Sequence, residues 1–466
     1  MGRQDTVIKI LAGERFTPYG LAKKLGAIAI LESSSFQKGR ERYSLLMVQE
    51  AFRLSQTDDG VIMDTGQKRY RIRSNARDIL DVQLYFANQH TQPHQDFPFP
   101  AGGIGYLSYE FAKHCDTIRF QKREDPLGMP DACFIFGHVF VVFDHYTDLL
   151  YLIGINYKEH EVDLGAAVAE TEARINDLDF NYLQDEERSY TAELVENGTD
   201  RKDYMDRVEA LKKEIVAGNL LQGVPSRRLQ IRTELPAIEA YRRLRRANPS
   251  PYQFFVDFGA YQLFGASPEM HVKVKEGEVT IRPIAGTRRR GSSREQDRSL
   301  ERDLLSDPKE RAEHLMLVDL ARNDIGRVSR PGSVHVASLM GIEHYSHVMH
   351  IVSEARGTLE EGRTGADAVR ATFPAGTVSG APKIQAIETI DRLEPFPRRF
   401  YAGVVGYMEP GGDLDTCIAI RSAMKRDDIL TLQAGGGVVH DSTPEREFEE
   451  TTEKLGALLR AADLEV

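Results

Sequence analysis

Through the first third of the chain, β-branched and aromatic residues crowd into runs separated by turn formers. Val61 to Ser74 and Phe134 to Ile155 are such runs, and the second breaks at Asp144 to Thr147 in the manner of a hairpin. A polar, acidic stretch without periodicity follows. It predicts a boundary near Asp185 to Thr199, between an N-terminal region (residues 1–190) and a second domain (residues 198–466). Beyond it Met205, Val208, Leu211 and Ile215 recur at helical spacing within Asp203 to Ala217, and Leu235, Ile238, Tyr241 and Leu244 share one face of a second helix. Met270 to Ile284 reads as a hairpin turning at Glu276-Gly277. Helices are predicted again over Lys309 to Asp324 and from Pro444 towards the C-terminus.

Composition narrows the class. The 466 residues carry a net charge of −11, which argues against a general nucleic-acid binder. The run Arg242, Arg243, Arg245 and Arg246 is then explained locally, as the solvated face of its helix. Three scattered cysteines form no disulfide framework, as expected in a reducing compartment. No apolar run reaches the roughly 20 residues that span a bilayer, and the N-terminus lacks the pattern of a signal peptide. A cytoplasmic protein without membrane or nucleic-acid partners is expected.

Candidate chemistry gathers late in the chain. On the helix that opens at Pro444, Glu447, Glu450 and Lys454 fall at i, i+3 and i+7, while Glu445 and Glu449 point elsewhere. Glu310 and Glu313 repeat the i, i+3 device. Two helices presenting paired carboxylates could hold a hard cation that keeps open positions, or could simply be acidic surface. His344, His347 and His350 invite a zinc reading, but steps of three sweep around a helix and no HExxH accompanies them. GTVSGAPK lacks the Walker spacing and reads as a turn feeding a helix. Gly435, Gly436 and Gly437 let backbone approach a ligand closely, or make a tight turn.

Read together, QGVPSRRL, FGASPEM, RPIAGTRRRG, GTVSGAPK, FYAGVVGY, CIAIRSA and GGGVVHDSTPEREFEETTEK resemble the chorismate-using enzymes, from about Lys202 to the C-terminus. The resemblance implies an α/β fold with two antiparallel β-sheets packed face to face and helices outside. Ala285 stands where aminodeoxychorismate synthases generally carry a nucleophilic lysine, and Gln222 where water-adding members carry one. Ammonia is then the implied nucleophile and anthranilate the implied product. An enzyme that stops at aminodeoxyisochorismate stays open. Arg289 and Gly223 depart from the usual proline and valine, and Gln253 replaces a frequent methionine.

The resemblance also implies roles. Glu310, Glu313, Glu447 and Glu450 belong to a magnesium (Mg²⁺) site beside Lys454. Tyr401, Arg421 and the backbone of Gly435, Gly436 and Gly437 meet the enolpyruvyl carboxylate of chorismate, with Gln222, Ala285, Gly286 and Thr287 in the walls. Glu269 is the acid for the departing hydroxyl, His350 assists the second step and Thr377 positions the substrate. Leu31, Glu32, Ser33 and Ser44, with Asn248, Pro249, Ser250, Pro251 and Tyr252, resemble a tryptophan feedback site. No cysteine sits in a glutaminase elbow. Ammonia is expected from a separate glutaminase subunit, in a heterotetramer of two large and two small chains.

Overall fold

The computed structural model describes residues 5–33, 42–93, 97–177, 189–195, 201–345 and 348–464. Its architecture turns on two long antiparallel partners, the 15-residue strand Tyr43–Thr57 and the 13-residue strand Ala132–Asp144. Their register slips repeatedly between Met47 and Phe52. Bulges of this kind bend a strand and raise its twist, so each half enters a different layer.

In the first layer Ala29–Glu32 pairs with the start of Tyr43–Thr57, then with Tyr252–Asp257. The ladder runs on through Gln262–Ser267, Ser422–Arg426, Ile429–Gly435 and Ser226–Thr233. In the second layer Ile104–Leu107 pairs with Ala132–Asp144, then with Val404–Met408. From there it continues through Leu414–Ile418, Met270–Lys275, Glu278–Ile281 and Val348–Thr358. Strands from before residue 190 therefore pair with strands from beyond 198 in both layers. The expected α/β fold with a large antiparallel sheet is present. The expectation of two separate sheets holds only in part, because the bent strands carry the ladder around the corner into one network of 21 strands among the described residues.

Successive side chains of a strand point to opposite faces, and both faces of the first layer are buried. Phe254 and Leu263 pack inward against the second layer, while Phe255 and Phe264 pack outward. The outer side is covered by helices Pro18–Leu25, Leu164–Asn176, Ala237–Ala247 and Pro444–Ala461. Helices Ile79–Ala87, Pro308–Gly326 and Gly365–Thr372 lie against the second layer. On Ala237–Ala247 the arginine run is less solvated than its pattern implies. Arg242 and Arg243 pair with Glu239, and Arg245 pairs with Glu32 at 2.5 Å.

One buried ion pair joins the pieces. Arg398 donates to Glu394 at 2.6 and 2.9 Å, to the carbonyl of Val378 at 2.8 Å and to that of Val224. Its guanidinium lies 4.6 Å from the ring centre of Tyr109 and 5.6 Å from that of Tyr401. Glu394 accepts in turn from the backbone and hydroxyl of Ser226 at 2.7 and 2.8 Å. Arg398→Met strands Glu394 as an uncompensated buried charge. Urea unfolding is expected to show a loss of about 3–5 kcal/mol; a loss under about 1 kcal/mol would show that the pair carries no such burden.

Candidate active site

The acidic helix is positioned by what precedes it. Ile429–Gly435 delivers the chain to a glycine turn, and Pro444 occupies the first helical turn after Thr443. Glu447 is buried, Glu445 and Glu449 are exposed, and Lys454 donates to the Gly435 carbonyl at 2.8 Å while pairing with Glu450 at 2.5 Å. A Cβ at Gly435 would lie 2.9 Å from the Tyr401 hydroxyl, at Gly436 2.7 Å from Glu447 Oε2, and at Gly437 2.5 Å from Gln222 Nε2. The three glycines thus bring Tyr401, Glu447 and Gln222 to one place that any side chain would close. Gln222 Nε2 donates to Glu313 Oε1 at 3.3 Å, which joins helix Pro308–Gly326 to the same place.

The carboxylates crowd one another. Burial pushes Glu313 above the usual carboxylate range, with Glu310 and Glu450 adding to it, and burial with Glu450 nearby does the same to Glu447. Glu450 is the exception: burial raises it, but Lys454 and other cations outweigh burial and hold it low. Glu447 Oε2 and Gln222 Oε1 are buried without a hydrogen-bond partner. Glu310 is turned towards Arg288 at 3.0 Å, and Arg288 also holds Asp303 and Asp307. Among the described residues no three His, Cys, Asp or Glu side chains converge into a ready-made metal site. One or two carboxylates with open positions suit Mg²⁺, which keeps waters and substrate oxygens as its other ligands.

Opposite polarity faces this cluster. Arg421 has φ +51° and is half-buried. Burial lowers its pKa, and its guanidinium has no hydrogen-bond or ion-pair partner among the described residues. Tyr401 is pushed up to about 12 by burial. Glu269 is buried, and burial raises it to about 7 against the opposing pull of Thr377, Lys454 and Arg421. Thr377 Oγ1 is close enough to favour the ionised form, yet makes no hydrogen bond of normal geometry.

His350 Nδ1 lies 3.0 Å from the Gly286 carbonyl and 3.1 Å from Thr287 Oγ1. The carbonyl can only accept, so the proton sits on Nδ1 and Nε2 keeps its lone pair. Gly286 has φ +66° at the register slip between Ala285 and Thr287, and a Cβ there would approach Glu310 Oε2 to 3.1 Å. His344 does not join His350; it pairs with Glu301 at 2.7 Å. His347 lies outside the described residues.

The structure places part of the predicted effector site around a cavity of about 460 Å³ lined by Leu31, Glu32, Ser33, Ser44, Pro251 and Tyr252. Ser33 Oγ is buried there without a partner, whereas Ser44 meets His145 at 2.8 Å and Glu32 accepts from Tyr241 at 2.6 Å. Asn248, Pro249 and Ser250 are not in that lining. They form the turn after Ala237–Ala247, with the Asn248 N–H on the Leu244 carbonyl at 2.8 Å. Met270, Tyr407 and Asp415, absent from the sequence prediction, complete the wall from the second layer. No local pattern signals them. Tyr204, beside Glu447, Glu450 and Tyr401, was equally hidden, because its helical position reads as core.

The sequence model of the chorismate binding enzyme family matches residues 36–460. The chain is 62% identical over 464 residues to anthranilate synthase component 1 of Spirochaeta aurantia, covering 99% of this chain and 96% of that one. It is 39% identical to the component 1 of Aquifex aeolicus, over 93% of this chain and 89% of that one. The crystal structure of anthranilate synthase component I from Streptococcus pneumoniae superposes with a TM-score of 0.80 at 36% identity, covering 90% and 92% of the two chains. Among the described residues no helix is long and apolar enough to cross a membrane.

The electrostatics of Glu269 predict a pH signature. The unfolded carboxyl ionises near 4.5 and the folded one near 7, so the folded chain holds one more proton between these values. That contribution to stability is complete below about pH 4.5 and gone above about pH 7, at up to about 1.4 kcal/mol per pH unit between. Glu269→Gln is expected to raise the melting temperature relative to wild type at pH 8 and not at pH 4.5. An equal shift at both would show that Glu269 is not held protonated by the fold.

Proposed function

Because the chain belongs to the chorismate binding enzyme family, we propose that it converts chorismate and ammonia to anthranilate and pyruvate. One observation carries this reading: a buried acid protonated to about pH 7, Glu269, lies in a site with cations at one side and carboxylates at the other, and position 285 offers only a methyl group. Component 1 relatives matching 99% and 93% of the chain support the same chemistry.

Arg421 and the Tyr401 hydroxyl take the enolpyruvyl carboxylate, aided by backbone around Gly435 to Gly437; an arginine fork suits a carboxylate. Glu313 and Glu450, with Glu447 and Glu310 near, would hold Mg²⁺. When bound, the ion neutralises and orients the ring carboxylate. Glu269, with Thr377 beside it, gives its proton to the C4 hydroxyl, which leaves as water while the bond from ammonia to C2 forms and the new C2 ammonium loses one proton to solvent. His350 in its Nδ1–H form then assists loss of the C2 proton as pyruvate is eliminated.

Ammonia comes from outside the chain. Cys115, Cys133 and Cys417 are all buried, and burial raises each thiol, Cys133 to about 12, the opposite of an activated nucleophile. A separate glutaminase subunit is the proposed source, with free ammonium as its substitute. Tryptophan is the proposed occupant of the 460 Å³ cavity, with Ser33 Oγ as one of its partners.

The test is anthranilate fluorescence from purified chain with chorismate, Mg²⁺ and ammonium at alkaline pH, with and without tryptophan. Anthranilate suppressed by tryptophan is expected. An amino-chorismate released without pyruvate overturns the reading in favour of an enzyme that stops earlier. Glu450→Gln should cost about 10²-fold or more in Mg²⁺-dependent turnover while leaving the fold intact; wild-type turnover removes Glu450 from the metal site. Ser33→Ala should leave turnover intact and weaken tryptophan inhibition about five- to tenfold, the value of one hydrogen bond.

A further inference from the structure

Glu269 is buried, so after each turnover its proton has to be replaced through protein or through the substrate pocket. Behind it lies a cavity of about 30 Å³ whose polar lining is Glu269, Thr377, Asp324, Thr372 and His271. Leu317, Leu320 and Ala321 of helix Pro308–Gly326 make one part of its apolar wall, and Met270, Ile281, Pro283 and Ile418 another. That is room for a water, provided polar partners are present. They are. Thr377 Oγ1 is buried close to Glu269 but makes no hydrogen bond of normal geometry, and a buried hydroxyl ordinarily has one.

On the far side of the cavity Asp324 Oδ2 accepts from Lys383 Nζ at 2.7 Å, and Lys383 also donates to the Thr372 carbonyl at 3.1 Å. Lys383 is the more accessible of the pair, with 12% of its side chain exposed against 7% for Asp324. His271 does not serve as a relay. Its ring nitrogens lie 3.1 Å from Thr372 Oγ1 and 3.2 Å from Thr416 Oγ1, and burial lowers it to about 3, so it stays neutral.

We propose that this cavity holds a water joining Glu269 to the Asp324–Lys383 pair, and that Glu269 regains its proton along this path. The inference rests on the reading of Glu269 as the acid. The transfers balance: the Lys383 ammonium gives a proton to Asp324, Asp324 gives one to the water, and the water gives one to the Glu269 carboxylate. Neutral Lys383 then takes a proton from solvent. No charge accumulates and no bond other than O–H and N–H changes.

Lys383→Arg tests it, because arginine keeps a cation beside Asp324 but does not release a proton. At pH 6.5, below the value of about 7 for Glu269, with the full chain in excess over chorismate and saturating Mg²⁺ and ammonium, loss of chorismate reports a single turnover that starts with Glu269 already protonated. That rate is expected within about twofold of wild type, while the steady-state rate falls tenfold or more. Asp324→Asn, of equal volume, should show the same split, and guards against an arginine that fails to fit. Parallel losses in both rates would make the pair merely structural and overturn the proposal. Unchanged steady-state rates would overturn it too, by showing that Glu269 refills from the substrate side. Glu269→Gln separates the two levels: it should abolish the single turnover itself, and if it does not, the assignment of the acid has failed and not only the relay.

Discussion

The pair Arg398–Glu394 is the constraint on which the rest of the site depends. A buried ion pair recovers its desolvation cost only when its remaining donors and acceptors are satisfied, and here they are satisfied by backbone from different parts of the chain. Val378 follows Thr377, Val224 stands two residues after Gln222, and Tyr401 lies under the same guanidinium. Satisfying one charged group therefore fixes three segments of the candidate site. The same pair reaches the N-terminal region through Glu110, which accepts from the backbone of Arg398 at 2.8 Å.

A second constraint is the thinness of the wall between the 460 Å³ cavity and the candidate active site. Met270 and Cys417 are paired across neighbouring strands and line the 460 Å³ cavity, while their chain neighbours Glu269 and Ile418, with Met270 itself, line the small cavity beside Thr377. Alternation along a strand sends adjacent residues to opposite faces. The register slip between Met270 and Val272 lies in that wall. Two sites separated by one layer of sheet share their backbone, which is the physical precondition for one to sense the other.

Four buried polar side chains without partners lie where ligands are expected: Ser33 in the large cavity, Gln222 and Glu447 at the carboxylate cluster, Thr377 beside the acid. Each costs stability, and the raised carboxyls of Glu313 and Glu447 add to that cost. By contrast Arg370, buried away from these sites, is paired with Asp78 at 2.7 Å.

What the sequence determined by itself is local and periodic. The turn at Glu276-Gly277 forms with φ of 51° and 77°, as a two-residue hairpin turn requires. Glu447, Glu450 and Lys454 share a face because a helix imposes 3.6 residues per turn whatever surrounds it. Motif blocks likewise identified the family. Tertiary structure alone decided which faces meet. Arg245 leaves solvent for Glu32, Glu310 turns to Arg288, and Met270, Tyr407 and Asp415 close a cavity opened by residues far away in the chain. The physical reason is that strand order and the two bent strands set these encounters, and neither periodicity nor propensity encodes the distance between residues hundreds of positions apart.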